Sequence, residues 1–305
     1  MNTPAELATF LDLTVGELRR LAGGHSNYTH FTIPKRSGAL REISSPVRAL
    51  AHVQRLVLRL LAGVETTEPA HGFVPGRGIV TGALPHVGKR VVANIDLKDF
   101  FPSVAEWQVA QVFRGLGHGP DVSGLLSLLC TEPVEGGRCL PQGACTSPTL
   151  SNAVCRQLDA RLGRLCAREG FTYTRYADDL SFSGDAVGKV RGLLRGVEAI
   201  LKSEGYAPHP DKTRVMYKGQ RQKVTGLVVN AKPAVPRRER RRLRAILHNA
   251  QRNVGGDQNR DGHADYEAHL RGKIAFVTMV DPTRAEKLLA SFGEITWSRD
   301  SRELV

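Results

Sequence analysis

Residues 174–184 read TRYADDLSFSG and set two aspartates, Asp178 and Asp179, between two runs of alternating apolar and polar residues. Tyr176, Leu180 and Phe182 favour strands, and two residues between such runs suffice to close a tight hairpin. Asp178 and Asp179 are therefore expected at a hairpin tip. Aspartate tolerates turn geometry, so a turn alone accounts for the pair. A metal site accounts for it as well, and the rest of the chain has to separate the two.

Asp96 tilts the balance. In RVVANIDLKDFFPSV (Arg90–Val104), Val91, Ala93 and Ile95 alternate with Val92, Asn94 and Asp96, which predicts a strand ending near Asp96. A carboxylate between Ile95 and Leu97 has no hydrophobic reason to be there. Carboxylates that converge on sheet ends repel one another without a compensating cation. Mg²⁺ or Mn²⁺ with oxygen ligands is the usual solution. Two such ions about 4 Å apart activate an attacking hydroxyl and stabilise a leaving pyrophosphate.

The charge balance supplies the polyanion. The 305 residues include 43 Lys and Arg against 30 Asp and Glu, a formal charge of +13. A folded chain this basic expects nucleic acid first and a membrane surface second. With the carboxylates, this points to phosphoryl transfer on nucleic acid. No apolar run reaches the roughly 18 residues of a membrane span. The most apolar region, Val47–Val64, is broken by Arg48, His52, Gln54, Arg55 and Arg59 and reads as an amphipathic helix. The N-terminus shows no signal-peptide pattern, so a cytoplasmic location without membrane contact is expected. The cysteines at 130, 139, 145, 155 and 166 are odd in number and have no CxxC spacing, so reduced thiols are expected.

The remaining segments mix helices and strands without regular alternation, which predicts an α+β fold with an antiparallel sheet. Residues 3–23 read as two short helices, with Thr14 and Glu17 forming a capping box on the second. FTIPKRSGALREISSP (Phe31–Pro46) reads as strand, turn at Ser37-Gly38, strand. His71–Lys89 is an irregular connection rich in Gly and Pro. Helices are expected over Trp107–Leu116 and Val122–Cys130, and a long one carries Leu150, Val154, Leu158 and Leu162. Another is expected over Val187–Glu204, then strand and hairpin material over His209–Asn230, and a basic helical tail from about Ala231.

Taken in order, these segments resemble the motifs of reverse transcriptases. Tyr176-Ala177-Asp178-Asp179 matches YxDD; Ile33–Pro46 resembles the fingers motif; Asn94–Val104 resembles the palm strand with the first catalytic aspartate. LPQGACTSPTLSNAV (Leu140–Val154) resembles the LPQG…SP motif, HPDKT (His209–Thr213) the palm-lysine segment, and KVTGLVVN (Lys223–Asn230) the primer grip. The resemblance implies a right-hand polymerase: N-terminal helices and fingers over 1–90, an antiparallel palm over 91–230 with a fingers segment at about 105–140, and a helical, RNA-binding thumb over 231–305. It implies that Asp96, Asp178 and Asp179, with the Leu97 backbone carbonyl, hold two Mg²⁺ ions, for which Mn²⁺ would substitute. Asp179 is the less constant ligand in the family. Lys35 (or Arg36) and Arg41 are implied to clamp the triphosphate of a dNTP, and Phe101 to be the steric gate against a 2′-hydroxyl. A core aromatic beside Phe100 is the other reading of Phe101. Gln142 and Gly143 are implied to lie against the nucleotide and template, and Lys212 to donate a proton to pyrophosphate, with a plain surface lysine as the other reading.

Within that family the closest resemblance is to bacterial retron enzymes. Residues 231–305 are few for an RNase H, integrase or endonuclease domain, so a retroviral or full group II intron enzyme is not expected, and LPQG speaks against the diversity-generating class. The retron VTG triplet is found as Val224-Thr225-Gly226; the NAxxH element as Gly82-Ala83-Leu84-Pro85-His86, with Gly82 in place of Asn. PRRERRRLR (Pro236–Arg244) places Arg237, Arg240, Arg241 and Arg244 opposite a stripe of Leu243, Ile246 and Leu247, and phosphate contact is expected for that face. Gly272–Pro282 and Lys287–Trp297 resemble the retron thumb ending. The resemblance implies that the VTG region and thumb recognise a structured noncoding RNA, both template and primer. Synthesis then starts from a guanosine 2′-hydroxyl and leaves an RNA–DNA hybrid and a short single-stranded DNA (msDNA). Such systems are similar to antiphage modules with a separate effector protein. The alternatives are another bacterial reverse transcriptase, group II intron-like or abortive-infection type, and a noncatalytic RNA-binding protein on the same fold.

Overall fold

Two short helices open the chain, α1 (Pro4–Phe10) and α2 (Val15–Gly23). Thr14 caps α2 as expected: its Oγ1 accepts from the Glu17 N–H at 3.2 Å, while Glu17 Oε2 accepts from the Thr14 N–H at 2.8 Å. The computed structural model describes residues 1–24, 27–35, 38–252 and 255–297.

Strands β1 (Tyr28–Pro34) and β2 (Leu40–Pro46) pair antiparallel as a two-stranded ribbon. Ser37, expected in its turn, lies outside the described residues. Helix α3 (Arg48–Leu60) buries Leu50, Val53, Gln54 and Val57 along one stripe and leaves Arg48, Arg55 and Arg59 in solvent. A short helix α4 (Ile79–Ala83) leads to strand β3 (Val91–Asp96), which ends at Asp96 as its alternation predicts. Helices α5 (Glu106–Gly115) and α6 (Pro120–Cys130) pack together and are followed by the small hairpin β4 (Glu132–Val134) and β5 (Gly137–Cys139).

The long helix expected around Leu150 is divided into α7 (Ser147–Val154) and α8 (Arg156–Glu169). Cys155 bends the joint with ψ near −2°, yet its N–H still donates to Ser151 O and its carbonyl still accepts from Asp159 N. Hairpin β6 (Phe171–Tyr176) and β7 (Asp179–Gly184) follows, then α9 (Val190–Ser203), β8 (Arg214–Tyr217) and the hairpin β9 (Lys223–Val224) and β10 (Leu227–Val228). The last helices are α10 (Arg237–Arg252), α11 (Tyr266–Val280) and α12 (Pro282–Gly293). The tail turns helical only at Arg237, not at Ala231. Pro233 and Pro236 disfavour helix there. Val228 and Ala234 exchange backbone hydrogen bonds at 2.8 and 2.9 Å, which closes residues 229–233 into a non-helical loop.

The main sheet has the order β6-β7-β3-β8 and is antiparallel throughout. Its strands alternate, so the two faces feed different cores. Val91, Ala93 and Ile95 of β3 join the larger cluster with α1–α3 and α5–α9. Val92 faces the other way and joins Val224, Leu227 and the apolar sides of α10–α12. Mixed helices and antiparallel sheets make this an α+β protein. Among the described residues no helix is long and apolar enough to cross a membrane.

Candidate active site

The sheet brings its carboxylates to one end. Asp96 and Asp179 are register partners across β3 and β7, and Tyr176 pairs with Asp179 across β7 and β6. The loop of the β6–β7 hairpin is therefore Ala177-Asp178, with Ala177 at φ +54°, and not Asp178-Asp179 as expected. Asp179 belongs to the strand because its backbone is needed to pair on both sides. The tip itself is tied to β3, since the Leu97 N–H donates to the Asp178 carbonyl at 2.9 Å.

The segment around HPDKT closes onto the same point. Asp96 O accepts from the His209 N–H at 2.7 Å, and Ala207 O accepts from Lys98 N at 2.9 Å. Lys212 Nζ lies 2.6 Å from Asp96 Oδ1. Like charge and burial shape the rest. Burial raises the Asp178 carboxyl, with Asp96 adding to it, while Lys212 and Arg41 pull it down. Asp179 is pushed up to about 6 by burial, then by Asp178 and Asp96. The donors are hard, mutually repelling oxygens, which is the chemistry a divalent cation relieves. Among the described residues, no three His, Cys, Asp or Glu side chains are gathered into one coordination shell.

Two loops frame this end. The Gln142 carbonyl accepts from the Ser44 N–H of β2 at 3.0 Å. Gly143, at φ +146°, lies so close that a Cβ would sit 2.7 Å from the Ser44 carbonyl oxygen. Gln142-Gly143 is thereby fixed against the β1–β2 ribbon that carries Arg41, paired with Ile33, and exposed Lys35 near its turn. Arg36, the alternative to Lys35, lies outside the described residues. Phe101 is half-buried and packs against the larger core cluster, its ring 5.3 Å from that of buried Phe100.

Beneath the site lies a buried ionic network to which the sequence reading assigned no role. Arg175, fully buried in β6, donates from Nε to Asp159 Oδ1 at 2.8 Å and from a terminal nitrogen to Asp159 Oδ2 at 2.7 Å. Its other terminal nitrogen donates to Asn152 Oδ1 at 2.9 Å, and Tyr173 and Thr67 also donate to Asp159. Asn152 in turn donates to Gly72 O at 2.9 Å, and the His71 N–H donates to Arg175 O at 2.7 Å. A charged residue inside the apolar run before Tyr-Ala-Asp-Asp was the available signal, since a buried charge requires a partner.

The element around His86 is also built in. His86 is fully buried; Thr174 Oγ1 donates to Gly82 O, so it accepts from His86 Nε2–H at 2.8 Å, and Ser183 Oγ donates to Nδ1 at 2.7 Å. This arrangement straps α4 to β6 and β7. Gly82 is accommodated because the His71 ring occupies the adjacent space, 3.3 Å from where a Cβ would stand.

The candidate RNA-contact residues divide. Val224 is fully buried in the second core, so only Thr225 and Gly226 of the triplet reach the surface. Both have positive φ, as a two-residue hairpin turn requires, and Thr225 Oγ1 donates to Ile79 O at 3.1 Å. On α10, Arg237, Arg241 and Arg244 are exposed, whereas Arg240 is half-buried and donates from Nε to Val235 O at 2.9 Å. The expected outward face thus loses Arg240, which ties the helix to the segment before it. Leu243 and Leu247 are buried as expected and Ile246 partly so.

Comparison with known proteins agrees with this arrangement. Residues 33–230 match the family model described as reverse transcriptase (RNA-dependent DNA polymerase). The retron Mx65 reverse transcriptase of Myxococcus xanthus is 43% identical over 94% of this chain and 70% of that protein. The retron Mx162 reverse transcriptase of the same organism is 42% identical over 97% and 67%. The retron Ec86 reverse transcriptase of Escherichia coli is 31% identical over 97% and 90%. The chain belongs to the retron reverse transcriptases and is an RNA-directed DNA polymerase.

Proposed function

We propose that this enzyme copies part of its own structured noncoding RNA into a short single-stranded DNA, starting from a guanosine 2′-hydroxyl within that RNA. The observation that carries the site is the pairing of Asp96 with Asp179, with Asp178 in the adjoining turn and Lys212 Nζ 2.6 Å from Asp96. Asp96, Asp178 and Asp179, with the Leu97 carbonyl, would hold a pair of Mg²⁺ ions, or Mn²⁺ in their place. When bound, such ions make the attacking hydroxyl nucleophilic and stabilise charge on the leaving pyrophosphate.

The chain's own groups complete the reaction. Arg41 and Lys35 bind the dNTP triphosphate, and Gln142-Gly143 lines the nucleotide and template. Phe101 crowds a ribose 2′-hydroxyl. Lys212 protonates the departing pyrophosphate; its contact with Asp96 puts an ammonium at the site. In this reading β1–β2 and α5–α6 are fingers, the four-stranded sheet is palm, and α10–α12 are thumb. Thr225, Gly226, Arg237, Arg241 and Arg244 contact RNA and the RNA–DNA hybrid. A cavity of about 510 Å³ between α10 and α12, lined by Arg237, Arg240, Arg244, Arg284 and Lys287, supports phosphate binding there. A cytoplasmic location, a separate effector protein and a role in antiphage defence belong to the same proposal.

The Asp178→Ala, Asp179→Ala double variant is expected to bind RNA with unchanged affinity and to incorporate no dNTP on a primed RNA template. Unchanged extension would overturn the site assignment. Sequencing the nucleic acid that copurifies with the wild-type enzyme is expected to find short DNA branched from an RNA guanosine. Linear, unbranched product would overturn the priming proposal.

A further inference from the structure

Phe73 is a bulky residue in a backbone conformation that ordinarily falls to glycine. It sits at φ +60° in the turn after His71-Gly72, and the residue is 45% exposed. Core packing therefore does not repay the strain. Strained backbone of this kind gathers at working sites when the surroundings enforce it. Phe73, Asp99 and Ala177 are three of the five described non-glycine residues with positive φ, and all three lie by the aspartates or in the loops beside them.

The surroundings do enforce it. Residues before Phe73 are fixed through the Arg175 and Asn152 contacts to His71 and Gly72. Residues 67–70 are held by Arg77, whose guanidinium donates to the carbonyls of Thr67, Glu68 and Ala70 at 2.6, 3.0 and 2.7 Å. Gly72 presses on the hairpin tip: a Cβ there would lie 2.7 Å from Ala177 N. The loop is thus seated on the turn that carries Asp178, and Phe73 projects from it. Its ring centroid lies 6.2 Å from that of Phe101 and 6.5 Å from that of Tyr176. Phe101 is flanked on another side by Phe100, which is buried and stacked on Tyr206. Of the two aromatic rings described beside Phe101, one is therefore part of the core and the other is Phe73.

We propose that Phe73 is a positioning residue for sugar discrimination: its ring backs Phe101 and holds it in place against the ribose of the incoming nucleotide. This rests on the reading of Phe101 as the steric gate. A gate excludes a hydroxyl only as far as it cannot yield, so a ring free to swing away discriminates poorly. The strained backbone at Phe73 is what places its ring beside that of Phe101.

The test compares kcat/KM for dCTP and CTP on a primed RNA template in the wild type, Phe73→Gly, Phe101→Ala and the double variant. Phe73→Gly removes the ring and relieves the backbone, so its Tm is expected to equal or exceed that of the wild type. Its discrimination against CTP is expected to fall about tenfold, through a lower KM for CTP with dCTP turnover nearly unchanged. Phe73→Tyr restores a ring and is expected to recover discrimination. The double variant is expected to be no worse than Phe101→Ala alone, because both changes release one gate. Additive losses in the double variant, or full discrimination in Phe73→Gly, would overturn the proposal. If Phe101→Ala alone keeps discrimination, the gate reading fails, and the Phe73 single variant then shows whether Phe73 itself meets the sugar.

Discussion

Charged side chains are used in opposite ways in the aspartate end of the sheet and in α10. Under the aspartates, Arg175 and Asp159 are both withdrawn from water and joined by two hydrogen bonds, and Asn152, Tyr173 and Thr67 satisfy the atoms left over. On α10, Arg237, Arg241 and Arg244 stand in solvent, while Leu243, Leu247 and Ala250 secure the helix from its other side. In the first region charge is part of the architecture and its loss is felt by the fold. In the second it is available to a partner, and its loss should be felt only by binding.

The largest test of this contrast is Asp159→Ala. It strands a fully buried guanidinium, which costs about 3–5 kcal/mol. Urea unfolding should show a midpoint shift of that order, and Asp159→Asn, which still accepts a hydrogen bond, a smaller one. A loss below about 1 kcal/mol would place Arg175 with the surface arginines and end the distinction.

His86 offers a second test through pH. Burial, then the nearby charges of His71 and Lys89, pushes its pKa down to about 4. The unfolded chain takes up this proton near pH 6.5, and the folded chain does not until about pH 4. His86 therefore contributes stability that is complete above pH 6.5 and is lost as pH falls toward 4, by about 3 kcal/mol over the whole window. Denaturation midpoints at pH 7, 6 and 5 should fall less steeply in His86→Gln than in the wild type. Parallel slopes would show that His86 does not carry the effect.

The smallest effect on the fold is expected from Arg237→Gln, Arg241→Gln, Arg244→Gln combined. Stability should stay within about 0.5 kcal/mol of wild type. RNA affinity should drop, and the slope of log affinity against log salt should shrink by about 2. An unchanged slope would mean that these arginines do not meet phosphate.

The two regions also differ in how far they could be read from sequence. Amphipathic spacing is local, so α3, α5, α6 and the buried face of α10 follow directly from residue order. The β6–β7 hairpin was equally legible, but its exact tip was not, because Asp179 is claimed by β3 across the sheet. Lys212 could be named from its segment, yet its contact with Asp96 spans 116 residues of chain and depends on residues 207–209 zipping onto 96–98. Phe73 and Arg77 gave no periodic signal at all, since they lie in an irregular segment whose shape is set by Arg175 and by the hairpin beneath it. Pairing that is distant in sequence escapes any window-based reading, and the working end of this sheet is built almost wholly from such pairs.

Strand β3 deserves a last consequence. Val92 belongs to one hydrophobic cluster, while Val91, Ala93 and Ile95 belong to the other. The strand is thus a shared wall, and the two hydrophobic clusters meet across a single layer of backbone. Transient release of α10–α12 would uncover Val92 and its neighbour Met216 while Ile95 stayed packed. Amide hydrogen exchange would then report α10–α12 opening while β3, held by Ile95 and its pairing with β7, keeps its protection.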